Sequence, residues 1–185
     1  MKRSIVFTAF LSLFVFSLAA SAQEKVTNFG GSWTLDLTKS KLDDRAKASI
    51  ESQTLTATQT DKDIKVETAT KRLPPPADAP QGGRRGGGMM GGGDSALTYS
   101  LDGNETTVEQ ESQMGKVPVK LKAKIDGGKL TLSSSRIITG QMGEISITTK
   151  ETWELSTDGK TLTVNREMTT PRGTNSSTMV YSKKS

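Results

Sequence analysis

KVPVKLKAKIDGGKLTL, residues 116–132, changes side-chain character at almost every step. Val117, Val119, Leu121, Ala123 and Ile125 share one parity, while Lys116, Lys120, Lys122 and Lys124 share the other. Successive side chains of a β-strand point to opposite faces, so this stretch predicts a strand with one face in a core and one in water. Asp126-Gly127-Gly128 then interrupts the alternation, which restarts at Leu130 and Leu132. Asp-Gly suits the positive φ angles of a tight hairpin turn, so two antiparallel strands are expected here.

The same rhythm runs outward in both directions. It predicts strands at 32–37, 52–60, 62–70, 95–101, 105–111, 116–126, 128–138, 144–155, 160–169 and 175–183. LDGN at 101–104 and TDGK at 157–160 are further Asp-Gly turns, and TDKD at 60–63 is a weaker variant. The expected fold is all-β: an antiparallel up-and-down meander of about ten strands, too many for a flat sheet. Closure into a barrel removes free edges and is the first expectation. A two-sheet sandwich or an open half-barrel is the alternative, and periodicity does not separate them. Lys39 to Glu51 predicts either a helix, with Leu42, Ala46 and Ile50 on one face, or an irregular crossover. A helix there is expected to cap one barrel mouth.

Residues 1–22 have the layout of a secretory leader: Lys2 and Arg3, an apolar run from Ile5 to Leu18, and Ala20-Ser21-Ala22 before the expected cut. The mature chain, 23–185, is then expected to be one soluble, exported, periplasmic or secreted domain. It has no further run long enough to span a membrane. Cleavage leaves 23 Lys plus Arg against 20 Asp plus Glu, too small an excess to argue for a nucleic-acid partner. Outer-membrane strands put apolar residues toward lipid. Here Thr161, Thr163, Asn165, Glu167 and Thr169 share one face and Leu162, Val164 and Met168 the other, a pattern for water. We expect a monomer.

The sequence has no cysteine and no histidine. That removes disulfides, triads, the commonest general base and most zinc and copper sites. Glu105, Glu109 and Glu111 alternate outward with Thr107 as a solvated face. Asp43-Asp44 and Asp61-Asp63 fall outside any calcium loop and read as turn or cap residues. No nucleophile has an evident base, so the chain is expected to be non-catalytic, with no cofactor and no metal. Residues 74–93 hold eight glycines and four prolines with no apolar period, which reads as a disordered loop. Lengthening a four-residue turn to twenty costs only about 1.4 kcal/mol of closure entropy. The Arg84-Arg85 and Met89-Met90 pairs in it lack the aromatic, lysine or extra soft-ligand partners of a nucleic-acid, phosphate or copper site.

Asn28-Phe29-Gly30-Gly31-Ser32-Trp33-Thr34-Leu35-Asp36-Leu37 resembles the first strand of the lipocalin and fatty-acid-binding barrels, with Gly31-Ser32-Trp33 as their Gly-x-Trp. Lys39-Ser40-Lys41 after that strand, and Glu151-Thr152-Trp153-Glu154-Leu155 leading into TDGKTLTV, look like exported bacterial proteins described as lipocalin-like. The resemblance implies a barrel holding a small amphipathic or hydrophobic ligand. It departs from true lipocalins in strand number and disulfides. Trp33 then lines the ligand space or plugs the barrel floor.

Taking Asp158-Gly159 as the turn pairs Leu155 with Leu162, Trp153 with Val164, Glu151 with Arg166 and Thr149 with Met168. A carboxylate and a guanidinium thus fall opposite each other on the apolar face. A turn at Arg172-Gly173 sets Arg166 opposite Met179 and Val164 opposite Tyr181, and Arg136 shares the parity of Leu130 and Leu132. Inward charges persist when paired, hydrated or used. Arg166, with Arg136, is therefore expected to grip an anionic head group beside Trp153, Tyr181 and Tyr99. Two alternatives stay open: Glu151 and Arg166 merely neutralise each other, or a bulge between Thr149 and Glu151 flips the register. A filled structural or interaction barrel of the cell envelope is the alternative function.

Overall fold

A computed structural model describes residues 27–74, 95–112, 115–140 and 143–184. The leader expected at 1–22 and, Pro74 apart, the loop expected at 74–93 lie outside them. The elements are β1 (Gly31–Leu35), α1 (Asp44–Ser49), β2 (Ile50–Gln59), β3 (Asp63–Arg72), β4 (Ser95–Ser100), β5 (Thr106–Ser112), β6 (Gly115–Asp126), β7 (Lys129–Gly140), β8 (Gly143–Leu155), β9 (Thr161–Thr170) and β10 (Gly173–Lys183). All ten strands lie in one antiparallel sheet, ordered β4-β3-β2-β1-β10-β9-β8-β7-β6-β5. The sheet curls into a nearly closed barrel, with the first strand joined to the last. No ladder joins β4 to β5 among the described residues.

That missing ladder corrects the expected LDGN hairpin. Gly103 does take a positive φ of 79°, but the Asp102 carboxylate turns back to accept from the Asn104 amide and side chain. β5 begins only at Thr106, opposite Leu121 of β6. The chain reverses there without pairing the two strands it connects.

Elsewhere the registers follow the parity of the sequence. Leu155 faces Leu162, Trp153 faces Val164 and Glu151 faces Arg166, although the loop runs over 157–160 and not two residues. Gly159 N–H donates to the Ser156 carbonyl, the four-residue loop built on a tight turn. The β9–β10 hairpin differs by two residues from the expected register: Gly173 pairs Thr170, so Pro171-Arg172 is the turn. Proline pre-sets the φ of a first turn position, and that preference outweighs the Arg-Gly signal. Arg166 therefore faces Ser177, Val164 faces Met179, and Tyr181 faces Leu162. A shift of two keeps every side chain on its face.

The expected helix is shorter than 39–51. The Asp43 side chain caps Ala46 N–H at 2.8 Å, and the helix ends at Ser49 because Ile50 is already the first residue of β2. On the other side of the barrel, the β6–β7 ladder stops at Val119–Arg136. Pro118 comes next and has no N–H to continue it. Ile137, which would have been its partner, is 53% exposed.

The Asp-Gly and related turns all lie at one end of the barrel, and there the interior is solid. Phe29, Trp33, Trp153, Leu121, Leu130 and Leu162 are fully buried. Phe29 packs edge-on against Trp153, ring centroids 6.3 Å apart, and Trp33 Nε1–H donates to the Phe29 carbonyl at 3.3 Å. Ala57 and Ala123 are buried in the same core.

Candidate functional site

Halfway up the barrel the inward residues change character. Parity still sends position 151 of β8 and position 166 of β9 to the inside, but these are Glu and Arg. Arg166 Nε and Nη2 both donate to Glu151 Oε1 at 2.7 Å, and Trp153 Nε1–H donates to Glu151 Oε2 at 2.8 Å. Both carboxylate oxygens are thereby satisfied, and the pair rests directly on the aromatic floor. The two side chains are 23% and 15% exposed, so water reaches them only in part.

Above the pair is a cavity of about 110 Å³, here called the inner chamber. Tyr99, Arg136, Glu151 and Arg166 line it with Ser134, Thr149, Thr68 and Gln110; its apolar walls include Leu55, Leu97, Val119 and Ile147. Burial lowers the Arg136 pKa. Burial pushes the Tyr99 hydroxyl well up, and the nearby Glu151 charge adds to the rise. Burial also works against charge on Arg166, but Glu151 beside it outweighs that and holds the guanidinium above its ordinary value. Near neutrality Tyr99 is thus a neutral phenol and Arg166 a cation.

A second cavity of about 180 Å³, the outer chamber, lies beneath α1. Leu42, Ala46 and Ile50, the three residues expected on one helical face, all border it, with Gln53, Asn175, Met179 and Arg72. Gln53 is buried and spans two partners: Tyr181 O–H donates to its carbonyl oxygen at 2.9 Å, and its amide donates to Thr70 Oγ1 at 2.8 Å.

Of the seven residues singled out from sequence, Tyr99, Arg136, Glu151 and Arg166 come together on the inner chamber. Trp153 reaches it only through Glu151. Trp33 sits in the floor and Tyr181 at the Gln53 junction, neither on the chamber wall. Sequence reasoning missed Gln53 and the ring of hydroxyls from Thr68 and Thr149. Their signal was available: each shares inward parity with an apolar neighbour two residues away, Leu55 or Val66 or Ile147. Among the described residues, no group of three His, Cys, Asp or Glu side chains could hold a metal ion, and no helix is long and apolar enough to cross a membrane.

No family model matches the chain, and no curated protein matches it. Solved structures similar to it include the fatty-acid-binding protein from Manduca sexta, at 13% identity and a TM-score of 0.41, covering 83% of this chain and 97% of that one. Zebrafish ileal bile acid-binding protein complexed with cholic acid is similar at 17% identity and a TM-score of 0.48, covering 84% and 98%. Human cRBP IV is similar at 11% and 0.47, covering 85% and 99%.

Proposed function

We propose that this protein is an exported, non-catalytic carrier that binds a small amphipathic ligand inside the barrel, with the anionic end against Arg166 and Arg136. The observation that carries this reading is that two guanidinium groups, Arg136 and Arg166, line one partly dry inner chamber. A guanidinium in such a place favours a carboxylate or phosphate, which it can grip through two parallel donors. Tyr99 and Ser134 add hydroxyls at the same level. The leader-like residues 1–22 support export, and the want of histidine and cysteine in the sequence supports binding without catalysis.

The test is displacement of a fluorescent fatty-acid probe. Arg166→Met should weaken probe binding at least tenfold, since a buried charge-assisted pair of hydrogen bonds is worth about 1.5–3 kcal/mol. Retention of full affinity by Arg166→Met would remove the anchoring role. Export is checked by the mass of the protein from its own host, expected to begin at Gln23.

A second reading, a filled barrel whose outer surface acts in the cell envelope, is favoured by one feature: Glu151 already occupies two donors of Arg166. Native mass spectrometry of gently purified protein separates the two. A reproducible small-molecule adduct supports the carrier, and a clean apo mass supports the filled barrel.

A further inference from the structure

Among the described residues, the inner and outer chambers share two wall residues, Arg166 and Met168. Arg166 is tied to Glu151 by two donors at 2.7 Å and is not easily displaced. Met168, two residues on and of the same parity, is half-buried, with Thr149 and Asn175 as its strand partners. A methionine side chain has three rotatable bonds and no polar atom to satisfy, so it can swing aside at little cost. The wall between the chambers therefore has one fixed post and one movable leaf.

Neither chamber is large enough to house an amphipathic ligand alone. A buried cavity of about 150 Å³ accepts one benzene ring. The inner chamber, at about 110 Å³, is smaller than that and the outer one, at about 180 Å³, only a little larger. Joined, they approach the roughly 300 Å³ at which small-molecule sites begin. Both linings are mixed: the inner chamber sets Arg136, Glu151 and Tyr99 among aliphatic walls, and the outer one, although Asp43 and Arg72 also border it, offers Leu42, Ala46, Ile50 and Met179 to an alkyl chain.

We infer that Met168 is the residue that sets ligand length: a linear monoanion of medium chain places its head in the inner chamber and threads its tail past Met168 into the outer chamber under α1. This rests on the carrier reading above and adds to it the ligand class and the residue that selects within it. Each methylene moved out of water is worth about a fourfold gain in affinity. A tail that enters the outer chamber must therefore show a steep dependence on chain length, and a tail that cannot enter must show almost none.

The experiment measures binding of octanoate and dodecanoate by calorimetry to the wild type and to two variants of opposite size, Met168→Ala and Met168→Phe, with thermal melting as the folding check. The wild type should prefer dodecanoate by at least about tenfold, allowing for partial filling of the space four more methylenes need. Met168→Phe, a rigid ring in the passage, should bring that ratio close to one while octanoate binding changes little. Met168→Ala should hold or raise the ratio. If both folded variants keep the wild-type ratio, Met168 does not select length and this inference falls while the carrier reading stands. If the wild type binds neither acid, both fall together.

Discussion

The two halves of the barrel interior use the same strands and opposite materials. The half that carries the Asp-Gly turns is filled by Phe29, Trp33, Trp153 and leucines with little or no exposure. The half beneath α1 puts threonine, serine, glutamine, glutamate and arginine at inward positions and leaves two cavities. One half spends its area on burial, which is non-directional and sums with surface removed from water. The other keeps polar groups that must each find a partner, and they do: among the described residues no buried side-chain nitrogen or oxygen lacks one. Stability and the proposed recognition thus fall at different ends of the same strands, and the boundary between them is Trp153 donating to Glu151.

That division predicts a gradient of mutational cost. Trp153→Ala should be the most damaging change, about 3–5 kcal/mol in urea unfolding, because it opens a cavity in the floor and also frees a Glu151 oxygen. Next comes Glu151→Leu, which leaves the Arg166 charge without its partner and should cost about 3 kcal/mol, less if water fills the gap. The double variant Glu151→Leu with Arg166→Met sharpens the comparison further. It replaces an ion pair with apolar side chains of similar volume, so stability should return to within about 1 kcal/mol of wild type while probe binding is lost. If the double variant stays as unstable as Glu151→Leu, the pair belongs to the floor and not to the chamber. Thr149→Val on the chamber wall should move stability by less than about 1 kcal/mol, since shape is kept and the site is partly wet.

The smallest effect lies outside both halves. Asp36, partly exposed just past β1, accepts first from the Thr38 hydroxyl and also from the Thr38 and Lys39 amides, which hold its pKa at about 2. A depressed folded pKa contributes stability that is complete above the ordinary value near 3.8 and fades as pH falls toward 2. Asp36→Asn should therefore lower the melting temperature slightly at pH 7 and by much less near pH 2. An equal effect at both pH values would place its contribution in shape and not in charge.

How far the sequence could be read follows the same partition. Alternation places each strand within a few residues, and it places Glu151 opposite Arg166, because parity survives errors of turn length. The 157–160 loop is two residues longer than expected and the β9–β10 turn is shifted, yet no side chain changes face. What parity does not carry is closure. The absence of a β4–β5 ladder depends on where the chain goes after Asn104, and nothing between Leu101 and Glu105 announces that the flanking strands will diverge. Nor does parity carry depth. Trp33, Trp153 and Tyr181 share inward faces with Arg166, but height along the barrel axis separates the indoles in the floor from the guanidinium above them. With Pro171-Arg172 as the turn, Tyr181 lies opposite Leu162, two residues further from the mouth than an Arg172-Gly173 turn predicts.

Pro118 has one more consequence. Because the β6–β7 ladder ends beside it, β7 from Ile137 to Thr139 has no ladder partner on its β6 side among the described residues, and the Ile137 side chain there is exposed. An open strand edge with an apolar side chain and no proline of its own is a template for another extended chain. In hydrogen exchange, the amides there that point toward β6 should lose protection first among the β7 amides, well before those facing β8. Concentrated protein should self-associate through this notch, and a lysine at position 137 should keep it in solution.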